Sequence, residues 1–289
     1  MSKESLHYRV SGIVGDFLLD NIHPEITGEE NILETRTHLN KGGTLVIESN
    51  HWAKLDPILF GKIMNEQIAS FDRIRGFASR RHFDPSLGLL SKAQSVLGPD
   101  WEERYGLKIN LVVQEKDRKL YLDHARFNRK VFLQEGRALR ESAGLVEFIV
   151  PQGTRTTTNR LLRVQGGVAE LLKIGSLKDK DKVKCLPLAG EHKMVLPGRH
   201  INVTAGKLFT YEDLLEDQRN YLKYLVPVWE TMGITDPDHM PDITESDCAA
   251  VRIAELLQPK EQGVYAPLVN LRKTLLSSPS NYPIVTPAP

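Results

Sequence analysis

The chain has 289 residues, enough to bury a large core without disulfides or metal staples. Its 38 Lys and Arg nearly balance 37 Asp and Glu, for a formal charge of +1, so global charge names no partner and no nucleic-acid ligand is expected. Attraction for an anion has to come from local arrangement.

The N-terminal stretch has a short apolar run, Ile13 to Leu19, but Asp16 interrupts it and no small-residue cleavage site follows, so no signal peptide is read there. No window approaches the roughly 18 to 20 continuous apolar residues needed to span a bilayer. Two cysteines, Cys185 and Cys248, lie far apart and match no metal-ligand spacing. Two unpaired thiols suit a reducing compartment, which points to the cytoplasm.

Apolar runs of strand length alternate with helix-like segments, predicting an α/β fold: a mixed central sheet flanked by helices, with a helical C-terminal extension. GTLVIESN (43–50) reads as a buried strand after a Gly-Gly turn. DPILFGKIMNEQIAS (56–70) reads as a helix opened by Asp56, with Pro57 at its first position. IRGFASR (74–80) predicts a second strand, with a helix near 85–97, and LKINLVVQ (107–114) a third. A long charged amphipathic helix is predicted from 116 to 142, and GLVEFIVPQGTR (144–155) is a strand running into a turn. A helix near 165–175 precedes strands at 181–191 and 199–209. Beyond residue 210 the pattern turns helical. The expected organisation is an N-terminal helical segment (1–24), an α/β core (25–210), a helical extension (211–276) and a Pro/Ser-rich tail (277–289).

Chemistry concentrates at two places. In SNHWAKLDP, His51 follows the strand's carboxyl end, where open α/β sheets form ligand crevices. A histidine can take a proton from a hydroxyl when a partner holds its tautomer, and Asp56 can accept from Nδ1 and leave Nε2 as the base. The plainer reading makes Asp56 an N-cap before Pro57, with Asn50 and His51 serving a turn. The second place is PQGTRTTTNR (151–160), which gathers a glycine, hydroxyls, backbone N–H groups and a guanidinium at one turn. Gly153 permits close approach and Arg155 offers a bidentate fork, a combination suited to a phosphate. A polar surface loop is the alternative.

These segments, in this order and about a hundred residues apart, resemble the glycerolipid acyltransferase family, which includes glycerol-3-phosphate and 1-acylglycerol-3-phosphate acyltransferases. The family pattern of Asn-His-x4-Asp, Pro-Glu-Gly-Thr-Arg-Ser and a later Val/Leu-Pro-Val strand corresponds to three sets of residues here. These are Asn50, His51 and Asp56; Pro151, Gln152, Gly153, Thr154, Arg155 and Thr156; and Leu186, Pro187 and Leu188. The resemblance covers roughly residues 25 to 210.

It implies that His51 deprotonates an acceptor hydroxyl, which attacks the thioester of acyl-CoA or acyl-acyl carrier protein, while Asp56 orients His51. Gly153, Thr154 and Arg155 would bind the phosphate of glycerol 3-phosphate or a lysophosphatidate-like acceptor. No acyl-enzyme, cofactor or metal is implied. Two departures stand out: Gln152 replaces the family's glutamate, and the arginine expected just after the middle strand is displaced to Lys116 or Arg118, with Arg80 and Arg81 as further candidates. The same resemblance implies phospholipid biosynthesis in the cytoplasm, peripheral at the inner membrane surface. YRVSGIVGDFLL and Trp52 are candidates for a shallow interfacial contact, a buried core helix being the competing reading of the former. A non-catalytic lipid- or phospho-ligand-binding homologue is the alternative function, motivated by Gln152, and hydrolysis of a thioester by a His51-activated water is a third.

Overall fold

The computed structural model describes residues 23–50, 63–64, 66–69, 73–80, 108–151, 160–190, 200–231 and 243–277. Seven strands form one sheet: β1 (His23–Thr27), β2 (Thr44–Ser49), β3 (Ile74–Ser79), β4 (Lys108–Val112), β5 (Val146–Ile149), β6 (Val183–Gly190) and β7 (His200–Ala205). Six α-helices accompany them among the described residues: α1 (Glu29–Asn40), α2 (His124–Glu141), α3 (Gly167–Gly175), α4 (Tyr211–Thr231), α5 (Glu245–Leu256) and α6 (Ala266–Ser277). The strand order is β1-β7-β6-β2-β5-β3-β4. The five strands from β6 to β4 run parallel, β7 is antiparallel to β6, and β1 pairs in parallel with β7. The molecule is therefore α/β with a mixed sheet, as composition and periodicity predict.

Strand β2 is the centre of this sheet because every residue from Thr44 to Ser49 is buried. A strand covered on both faces reads as a continuous apolar run, and LVI supplies it. Val46, with Val183 and Cys185 of β6, packs under α3 and α5. Leu45 and Ile47, with Val146 and Phe148 of β5, pack on the opposite face against Ile32 and Leu39 of α1 and against Ile63 and Met64.

Two differences from the sequence reading have local causes. Strand β1 is an edge strand of five residues, HPEIT, whose strand partner among the described residues is β7. It turns into α1 through Gly28, whose φ of 87° no ordinary side chain adopts readily. A Cβ there would lie 2.3 Å from the Ala205 carbonyl oxygen. The charged helix begins at His124 rather than near 116, because a 3-10 turn (Glu115–Leu120) intervenes. That turn buries Asp117 against the Ser79 hydroxyl, 3.0 Å away, and Tyr121 beneath the Arg80 guanidinium, contacts a continuous helix would forgo.

The C-terminal helices share the core of the sheet. Ala250, Val251, Ile253 and Ala254 of α5 and Val269 of α6 belong to the same cluster as Val46 and Cys185. Asp217 of α4 ties them together, accepting from Arg252 Nη2 at 2.7 Å and from Arg272 Nη1 at 2.5 Å; Arg272 Nε lies 2.9 Å from Glu255. Helix α5 starts in a capping box, Thr244 and Asp247 each bonding the other's backbone N–H.

Candidate functional site

Because β6, β2, β5, β3 and β4 are parallel, their carboxyl ends share one edge of the sheet. Ligand crevices of open α/β sheets form at this edge. The segments that carry the sequence motifs leave from it. His51 follows Asn50 at the end of β2, Gln152 follows Pro151 just past β5, Arg80 comes directly after β3, and Lys116 and Arg118 follow β4. β2 and β5 are direct neighbours, with Glu48 opposite Ile149. His51, Asp56, Gln152, Gly153, Thr154, Arg155 and Arg81 lie outside the described residues, as does the side chain of Lys116.

Two asparagines order this edge. Asn50 Nδ2 donates to the Gly190 carbonyl at 3.0 Å, and the Gly190 N–H donates to Asn50 Oδ1 at 3.0 Å. The side chain thus adds a rung between β2 and β6 beyond their last backbone pair, at the residue before His51. Asn128 of α2 does the same for Val113 at the end of β4, accepting from its N–H and donating to its carbonyl, both at 2.8 Å. Buried polar backbone at a strand end must find partners, and each amide satisfies two groups at once.

Pro187 faces Glu48 across the β2–β6 ladder. On the β7 side its carbonyl accepts from the Gly206 N–H at 2.8 Å, in the gap between the Cys185–Phe209 bridge and the β6–β7 pairing that begins at Leu188. A proline is tolerated there because the ladder is interrupted.

Beside this edge lies a cleft of about 520 Å³, lined by Phe77, Gln114, Arg118, Asn128 and Phe132, by Ile149 to Pro151, and by Gln165 to Gly167 and Glu170 at the start of α3. One wall is apolar and the rim is polar, the usual make-up of a small-molecule site. Gln114 lines it, and its Oε1 is buried with no hydrogen-bond partner. Gly167 lets α3 approach: a Cβ there would sit 2.8 Å from Ile149 Cδ1 and 2.9 Å from Phe132 Cζ.

The candidate cations separate here. Arg118 is exposed and lines the cleft. Arg80 is not among its lining residues. Its guanidinium is sandwiched between the rings of Tyr121 (4.6 Å) and Phe127 (4.7 Å), with Nη1 3.5 Å from Asp123 Oδ1. Gln114, Asn128, Gln165 and Glu170 were not singled out in the sequence. For Gln114, its place directly after the apolar run LVV was the available signal.

Two buried carboxyls lie on the strands that reach this edge. Glu48 of β2 is fully buried, neither oxygen has a hydrogen-bond partner, and burial drives its pKa well up despite the opposing charge of Arg252. Glu147 of β5 is also pushed well up, first by burial and then by Glu135, although Arg75 pairs with Glu135 at 2.5 Å. Cys185 and Cys248 are free and buried, and burial raises both thiols, so neither is a ready nucleophile. Among the described residues no cluster of His, Cys, Asp or Glu is arranged to hold a metal ion, and no helix is long and apolar enough to cross a membrane.

No protein-family model and no curated protein matches the chain.

Proposed function

We infer that the protein is an O-acyltransferase, moving a fatty acyl group from a thioester carrier to a hydroxyl of a glycerophosphate-like acceptor. The observation that carries this reading is the parallel pairing of β2 with β5. The histidine segment and the Pro-Gln-Gly-Thr-Arg segment leave the sheet from adjacent strand ends, although about a hundred residues separate them. One small acceptor has to reach both a base and a phosphate-binding turn, and neighbouring strand ends are a starting point that allows it.

In this mechanism His51 takes the proton of the acceptor hydroxyl while Asp56 holds its ring. The oxygen attacks the thioester carbonyl, the carbon–sulfur bond breaks, and the thiolate leaves with the proton His51 received. Products are the ester and the free thiol. Gly153, Thr154 and Arg155 hold the acceptor phosphate, and Arg118, on the rim of the neighbouring cleft, supplies a second cation. The apolar wall formed by Phe77, Phe132 and Ile149 suits the first part of an acyl chain.

The test is thiol release from palmitoyl-CoA by the purified protein, with and without glycerol 3-phosphate or lysophosphatidate, beside His51→Ala. Acceptor-dependent release that disappears in the variant supports acyl transfer. Release without acceptor points to hydrolysis. Absence of release from both acyl-CoA and an acyl-carrier protein removes the reading. A ligand-binding homologue is the second reading, favoured by Gln152, which lacks the charge found at that position in the family the chain resembles. It predicts lysophospholipid binding without turnover.

A further inference from the structure

Helix α2 packs inward through Glu135, Gly136 and Leu139, which are buried. Its opposite face carries Arg126, Arg129, Lys130 and Arg137, all exposed, around the partly buried Leu133. They line a shallow trough of about 680 Å³ on the helix surface. The carboxylate within it, Glu141, is already held by Arg140 at 2.9 Å, an ion pair that keeps its pKa low. The four cations thus form a stripe of one sign on a chain whose net charge is only +1.

Immediately before the helix, two leucines point into water: Leu122 is 96% exposed and Leu120 is 51% exposed. Scattered single leucines on a surface need no explanation, but these two come directly before the helix that carries the cationic stripe. An acidic protein meets both only where an apolar patch lies among its carboxylates. An anionic bilayer answers both, with headgroups for the arginines and acyl chains for the leucines.

We propose that the outer face of α2, with Leu120 and Leu122, docks the protein on an anionic phospholipid surface. The inner side of the same helix supplies Asn128 and Phe132 to the cleft, and Arg118 precedes Leu120 by two residues. Docking would therefore fix to the membrane the helix whose inner side forms part of the cleft wall. The proposal does not depend on acyl transfer, because binding is read without turnover.

The experiment is co-sedimentation of the full chain with vesicles of phosphatidylcholine alone and of phosphatidylcholine mixed with phosphatidylglycerol. Binding should require phosphatidylglycerol and weaken in high salt. Each cation near an anionic membrane contributes about fivefold, so the triple variant Arg126→Gln/Lys130→Gln/Arg137→Gln should lose on the order of a hundredfold. Leu122→Ser should lose about tenfold with the thermal midpoint unchanged. Failure of the parent protein to bind phosphatidylglycerol vesicles, or undiminished binding by the triple variant, overturns the proposal. Binding to an acidic carrier protein without binding to vesicles overturns it in favour of a protein partner.

Discussion

The side-chain amide of Asn50 is bonded to the backbone N–H and C=O of Gly190, 140 residues away, and so locks the ends of β2 and β6 together one residue before His51. Asn50→Ala leaves both Gly190 groups without these partners, a penalty of about 1 to 3 kcal/mol per buried unsatisfied group. Urea denaturation should show a loss of this order. Acyl transfer should fall further than stability alone explains, since His51 loses its fixed starting point. An Asn50→Ala protein with unchanged denaturation midpoint would remove this role.

Glu48 gives stability a pH dependence. Its folded pKa lies well above the ordinary 4.5, because burial disfavours the ionised form. Below 4.5 both folded and unfolded chains keep the proton and the full stability is present. As pH rises above it, the unfolded chain releases the proton while the folded one retains it. Stability then falls, by at most about 1.4 kcal/mol per pH unit, until the folded pKa is passed. Glu48→Gln should remove this slope, matching the parent in acid and melting higher at mildly alkaline pH. Thermal midpoints across pH decide it, and parallel curves for the two proteins would contradict the assignment.

The two arginines should respond differently to removal. Arg118→Ala should raise the acceptor KM roughly tenfold or more, since a charged hydrogen bond contributes about 1.5 to 3 kcal/mol. Arg80→Ala empties the space between Tyr121 and Phe127 and should chiefly lower the melting temperature, a cation–π sandwich contributing about 0.5 to 2 kcal/mol. Steady-state kinetics on both variants beside their melting curves make the comparison.

Gly136→Ala sets two effects against each other. Alanine in a helix interior gains about 1 kcal/mol over glycine. A Cβ at Gly136, however, would lie 2.7 Å from Ile174 Cβ and Cγ2, and overpacking of this kind costs about 1 to 3 kcal/mol. The clash involves atoms fixed to the α3 backbone, so the variant should be destabilised, and adding Ile174→Ala should recover part of the coupling in a double-mutant cycle. A stabilised single variant would mean that α2 and α3 part easily.

Much of the fold is legible because its strands are self-announcing. LVIES, INLV and VEFI are short apolar runs bounded by turn residues, and each becomes a strand close to its expected limits. β1 escapes detection because HPEIT has no such run and pairs with β7, far along the chain. The site divides in the same way. Asn50 stands out beside a histidine, and the structure gives it a partner. Asn128, within a charged helix, looks like any solvated polar residue until β4 ends opposite it. Tertiary context makes that distinction, and no local pattern carries it.

The central position of β2 also bears on how the chain is made. Its neighbours, β5 and β6, are about one hundred and one hundred and forty residues downstream. At the usual ribosomal pace of about 5 to 20 residues per second, this central strand waits on the order of ten seconds with both edges bare. Contacts of such long range also make folding slow. A nascent or truncated chain ending before Gly190 would present Leu45 to Ile47 as an open template for another chain, so expression at low temperature or with chaperone capacity to spare should favour the native sheet over aggregation.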